Sequence, residues 1–289
     1  MERKTRRGFI KIGTAGIIAG ATAGVGLPLL TASRARAAAV HPFGYPIGGL
    51  NVETTRQMGY NGYKGISLNG AVHKHCAFAS FHAIIGGLAE VVGYPYDTVP
   101  TQMMEWASGG VAGFSTFCGA LNGACTAIGL ICSNTDAVGF ISDLLSWYAE
   151  APLPTNIIAP SGPLAQSAAR TNLCHMSVTN WCMASGFSSG SPERSERCAR
   201  LAGDVAAQAV AMLNTGRMGL TVPGDRTQCR ACHYKGTDFD GGQFTRGKMD
   251  CEACHVDMER VEQEHRFELH ASHGHPDDEK KEHKERDDD

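Results

Sequence analysis

The chain has 289 residues, 26 Lys and Arg against 29 Asp and Glu, and a formal net charge of −3. Seven basic residues and one acidic one fall within residues 1–37, so the remainder carries −3 − 6 = −9. That balance argues against nucleic acid or an anionic lipid surface as partner, and the length left suits one large domain or one domain with an appendage.

The amino-terminal stretch reads as an export signal. Thr5-Arg6-Arg7-Gly8-Phe9-Ile10-Lys11 has the twin-arginine pattern, and an apolar, Gly- and Ala-rich run follows over residues 12–30. Ala35-Arg36-Ala37 supplies a cleavage site, with Ala37-Ala38-Ala39 as the alternative. Pro28 and the many small residues make the run weak as a spanning helix, and no later stretch is long and apolar enough to cross a bilayer. The expectation is an exported, periplasmic protein with no membrane span in its mature form. A twin-arginine passenger often carries a cofactor inserted before export, which directs attention to the cysteines.

From Asn51 to about residue 216 the pattern is that of helices joined by Gly- and Pro-rich turns. A mostly apolar helix is predicted over 75–92, closed by Gly93 with Pro95 beyond. A Gly-, Ala- and Cys-rich helix is predicted over 116–132, and an amphipathic one over 137–150 with Phe140, Leu144, Leu145 and Tyr148. The best-marked helix opens with Ser191 as N-cap, Pro192 and Glu193, and Gly216 closes it. Its apolar stripe is Cys198, Leu201, Ala202, Val205, Ala209 and Met212. No run of alternating strands is evident, so the predicted class is mainly α, with an irregular haem-binding segment behind it.

Seven cysteines lie in this body: Cys76, Cys118, Cys125, Cys132, Cys174, Cys182 and Cys198. An odd number cannot all pair as disulfides. Cys125 and Cys132 sit at core spacing, where a free cysteine behaves as a small apolar residue. From spacing alone, Cys182 and Cys198 suit a simple bridge as well as metal ligation.

Two motifs close the ordered part of the chain. Cys229-Arg230-Ala231-Cys232-His233 and Cys251-Glu252-Ala253-Cys254-His255 are each C-x-x-C-H, the attachment signature of a c-type haem. The two thiols reach the vinyl groups on one porphyrin edge, and the following imidazole is placed as proximal iron ligand, here His233 and His255. The same cysteines also have zinc-ribbon spacing. A histidine after both pairs, and a Gly-rich linker without the alternation of ribbon hairpins, favour two covalent haems. Residues 259–289 read as a charged, His-rich tail, largely disordered beyond Pro276.

One resemblance spans about residues 50–256. Gly109-Gly110-Val111-Ala112-Gly113, followed by Cys118-Gly119-Ala120-Leu121-Asn122-Gly123, resembles the core of the C_GCAxxG_C_C family of redox-active proteins. Leu173-Cys174-His175-Met176-Ser177-Val178-Thr179-Asn180-Trp181-Cys182, with two C-x-x-C-H motifs behind it, is similar to the split-Soret cytochromes c of sulfate-reducing bacteria. The resemblance implies a homodimer carrying two haems and an iron–sulfur centre in each chain. It maps Cys76, Cys118, Cys182 and Cys198 onto the cysteine pattern, a set that suits a [2Fe–2S] cluster. An electron-transfer haem usually fills both axial positions, so two distal ligands are needed as well. His175, in the stretch of closest likeness, is one candidate. For the other haem the candidates are His73, His75 and His82, of which His75 and His82 are seven apart on a predicted helix and so on one face.

The function expected is electron transfer between redox protein partners, with no catalytic residues: no nucleophilic triad, phosphate loop or acid–base carboxylate pair stands out. The alternatives are a multihaem oxidoreductase with one open iron, and a zinc-stapled binding module.

Overall fold

The structure, a computed structural model, describes residues 43–220 and 248–249. The signal segment, both C-x-x-C-H motifs and the tail lie outside the described residues. The fold is mainly α, as predicted. Its elements are α1 (Val52–Lys64), a hairpin of β1 (Ile66–Leu68) and β2 (Ala71–His73), α2 (Cys76–Val92), two short 3₁₀ turns, α3 (Gly119–Ile131), α4 (Asn134–Glu150), α5 (Cys174–Ser185) and α6 (Pro192–Thr215).

Local chemistry sets most of these boundaries. At α1, Asn51 Oδ1 accepts from the Thr54 amide at 2.9 Å, and Gly65 closes the helix at φ 121°. The α6 cap is the predicted one, with Ser191 Oγ accepting from the Arg194 amide at 3.1 Å and Gly216 at the far end. Helix α4 begins earlier than its apolar stripe suggests, because Ser133 Oγ accepts from the Asp136 amide and donates to its carboxylate. Helix α3 begins later than predicted, because residues 115–118 are drawn off to pair with another segment. The hairpin turns at Asn69 and Gly70, both at positive φ, the conformation a two-residue turn of this kind requires.

Helix α2 is the centre of the bundle, packed against α1, α3 and α6. Phe78, Phe81, Ile84, Ile85 and Leu88 are all at most 1% exposed, and burial of each such side chain contributes about 1.5–3 kcal/mol. Its contact with α3 is close enough to exclude a side chain: a Cβ on Gly123 would lie 2.2 Å from the Ala77 carbonyl oxygen. Ser80 Oγ stitches the two together by donating to the Ala120 carbonyl at 2.7 Å. Between α1 and α6 a buried polar set takes over. Arg56 pairs with Asp204, whose carboxylate also accepts from the Thr155 amide and hydroxyl at 2.8 and 2.6 Å. Among the described residues, no helix is long and apolar enough to cross a membrane.

Candidate metal centre

Four cysteines from four helices share one neighbourhood. Cys76 is the first residue of α2, Cys118 the N-cap of α3, Cys174 the first residue of α5, and Cys198 sits in the second turn of α6. Three of the four therefore stand at helix N-termini, where unpaired amides and the helix dipole favour negative charge.

Two of them meet through a non-local pairing. Phe117 and Leu173 form an antiparallel bridge. The Cys118 amide donates to the Asn172 carbonyl at 2.9 Å, the Cys174 amide to Thr116 at 2.6 Å, and the His175 amide to Ser115 at 3.0 Å. Cys76 arrives from α2 into space that only glycine leaves open: a Cβ on Gly119 would fall 2.4 Å from its Sγ.

The thiols feel one another. Burial pushes the Cys76 thiol up to about 12, and negative charge on Cys118 and then Cys198 adds to the rise, opposed by the Gly109 amide and Ser108. Burial likewise carries Cys174 up to about 12, with Cys118, Cys198 and Cys76 adding and Arg197 opposing. Cys118 is also raised by burial, with Tyr148, the Leu121 and Ala120 amides and Arg197 opposing. Four thiolates could not coexist here without cationic charge between them, and bound metal supplies that charge. Among the described residues no three Cys, His, Asp or Glu side chains are close enough to share a single ion. Thiolates around one tetrahedral ion stand about 3.8 Å apart, from a metal–sulfur bond of about 2.3 Å. A binuclear cluster divides its four thiolates between two irons and tolerates a wider spread.

A buried cation completes the neighbourhood. Arg197, 1% exposed, donates from Nη2 to Ser177 Oγ at 2.7 Å, and its Nη1 lies 3.9 Å from Cys198 Sγ. Tyr148 donates to the same Ser177 oxygen at 2.8 Å. Nε of Arg197 has no hydrogen-bond partner. Arg194, further out, is a second cation that feels Cys198 first among the charged groups.

Cys182 lies on α5 eight residues beyond Cys174, about 12 Å along the helix. Cys76, Cys118, Cys174 and Cys198 are linked by charge: Cys118 and Cys198 act on Cys76, and all three of these act on Cys174. Cys182 and Cys198 are both free thiols, so the bridge between them is not formed. Cys125, whose thiol burial and then Cys118 push up to about 12, is two turns along α3, and Cys132 is at that helix's opposite end.

The candidate histidines stand in three different settings. His75 precedes α2 at φ 80° with its ring edge-on to Tyr63 at 6.2 Å, so the shared helix face with His82 is lost. His82 stacks on Phe78 at 5.2 Å and bonds Thr101 Oγ1 through Nδ1 at 2.9 Å. Burial, then charge on His73, holds its pKa below the ordinary value. His175 is exposed at the start of α5. An apolar cavity of about 250 Å³ runs beside α4, lined by Val138, Ile141, Leu145 and Asn172 among others, and by Lys248 and Met249.

Comparison with known proteins shows what the chain is similar to. Residues 75–212 match the family described as "Putative redox-active protein (C_GCAxxG_C_C)". The chain is 32% identical over 230 residues to the split-Soret cytochrome c of Desulfovibrio desulfuricans, a span covering 74% of this chain and 78% of that one. It is also similar to the solved structure of a split-Soret cytochrome c from that species, described as having a novel iron centre. The TM-score is 0.64 at 30% identity, covering 74% of this chain and 91% of that one.

Proposed function

Because the chain belongs to the split-Soret cytochrome c family, we propose that it is an exported, periplasmic electron-transfer protein with two c-type haems and one [2Fe–2S] cluster per chain. The haems would be held by Cys229 and Cys232 with His233, and by Cys251 and Cys254 with His255. Cys76, Cys118 and Cys198 would hold the cluster, with Cys174 or Cys182 as fourth thiolate. The observation that carries the reading is the gathering of Cys76, Cys118, Cys174 and Cys198 at three helix N-termini and one helix flank. A bound cluster would supply one-electron redox chemistry without making or breaking a substrate bond.

This chain's own residues define what surrounds that chemistry. The α2, α3 and α5 amides favour thiolate over thiol once cationic charge is present. Gly119 keeps Cys76 within reach. Exposed His175 is open to an iron approaching from outside the body, and a homodimer would bring one from the partner. The α4 cavity ends at Met249, two residues before Cys251, and its apolar wall suits the edge of a haem.

The test is metal analysis of the full chain from a haem-maturing host. The expected result is two haem irons, two non-haem irons and two acid-labile sulfides per chain. Cys174→Ser should remove the non-haem iron and Cys182→Ser should leave it, and the reverse pattern would assign Cys182. A colourless chain holding zinc would refute the proposal.

A further inference from the structure

Three arginines in the described part of the chain are buried, and only one lacks a carboxylate. Arg56, 8% exposed, pairs with Asp204 and with Glu53. Arg200, 2% exposed, pairs with Glu196 at 2.9 Å and donates to Asn156 and to the Gly162 carbonyl. Arg197, the most deeply buried, has no acidic partner. It has one strong acceptor, the Ser177 hydroxyl, and an Nε with none. A guanidinium keeps its charge inside a protein, and a buried charge without a counter-charge costs several kcal/mol. Its Nη1 lies 3.9 Å from Cys198 Sγ, and Cys198, Tyr148 and Cys118 are the groups whose negative charge would act on the guanidinium. The Ser177–Tyr148 pair, itself buried, holds the cation there.

We propose that Arg197 is the built-in counter-charge of the cysteine site, a positioning residue that sets the reduction potential of the group bound there. The inference rests on the cluster reading above. A cluster with four thiolates is anionic and becomes more so on gaining one electron, which an external reductant such as dithionite supplies. A fixed positive charge within contact of Cys198 stabilises the reduced form more than the oxidised one, so it raises the potential. Ser177 keeps the guanidinium on the thiols rather than letting it turn away.

The experiment is a reductive titration of full-length, haem-loaded protein, following the cluster's paramagnetic signal, in wild type, Arg197→Gln and Ser177→Ala. Arg197→Gln should retain the cluster and lower its one-electron equilibrium constant at least tenfold, equivalent to about 59 mV. Haem midpoints in the same sample should not move, which separates an electrostatic effect from a general loosening. If Arg197→Gln does not fold, Ser177→Ala removes the oxygen that accepts from both Arg197 and Tyr148 and carries the test, with a shift in the same direction expected. A loaded cluster whose potential is unmoved in the variants that fold overturns this inference alone. A wild-type chain without acid-labile sulfide overturns the cluster reading, and this inference with it.

Discussion

Gly119→Ala is the sharpest test of how the cysteine site is built. Gly119 is the first residue of α3, and its φ is not positive, so alanine is conformationally allowed. Considered as a helix residue alone, alanine should gain up to about 1 kcal/mol over glycine. Packing opposes this. The new Cβ would stand 2.4 Å from Cys76 Sγ and 3.0 Å from the Ala107 carbonyl oxygen, and the second of these is backbone. Forcing a methyl into such a site costs about 1–3 kcal/mol. Since the carbonyl cannot swing aside, the upper part of that range applies, and the net loss is about 1–2 kcal/mol. For a domain of this size that corresponds to a fall of roughly 2–8 °C in Tm. Gly129→Ala is the control within the same helix, because Gly129 is exposed and nothing lies within 4 Å of its Cβ position. It should gain the full propensity term and melt about 2–4 °C higher than wild type. Thermal unfolding by far-ultraviolet circular dichroism, with non-haem iron measured on each variant, decides the matter. If Gly119→Ala melts as high as Gly129→Ala and keeps its iron, Cys76 is not held where this reasoning needs it.

Two further outcomes are expected. Glu196 receives Lys64 at 2.5 Å, Arg200 at 2.9 Å and the Tyr60 hydroxyl at 3.2 Å; burial alone would raise its pKa, but these partners hold it below the ordinary carboxylate value. A carboxylate depressed on folding stabilises at neutral pH and loses that contribution as pH falls through its folded pKa. Glu196→Gln should therefore lower the urea midpoint at pH 7 and flatten its decline toward acid, and parallel pH profiles for the two proteins would contradict this. His175→Ala should turn one haem high-spin and open it to added cyanide or imidazole, and two unchanged low-spin haems would rule His175 out as a ligand.

Much of the bundle was legible because its signals are local. Ser191, Pro192 and Gly216 mark both ends of α6, and Gly93 marks the end of α2, through interactions within a turn or two of each residue. Helix α5 is marked only at its far end, where Gly186 closes it at φ 75°. Leu173 occupies its N-cap position without a side-chain bond, and it buries only Ser177 and Trp181, leaving no apolar stripe to find. The hairpin had one readable sign, Asn69-Gly70, but strands of three residues give alternation no room to register. Cys174 was the harder case. Its place beside Cys118 comes from backbone pairing between residues 115–118 and 172–175, and no periodicity within either segment encodes that. Cys76, Cys118, Cys182 and Cys198 were singled out by the family resemblance, whereas where their side chains lie depends on how α2, α3, α5 and α6 pack together.

The pairing of residues 115–118 with 172–175 also has a bearing on the order of folding. It joins segments separated by the whole of α3 and α4 and a long loop, so its closure must await elements that can form sooner. Helix α5, anchored by few buried side chains, is the natural last piece and the first to open. Any group gripping Cys118 and Cys174 together binds only the closed arrangement, and mass action then draws the chain toward it. Loading the site and finishing the fold become a single event, and an empty chain is marked out from a filled one by how readily α5 comes away.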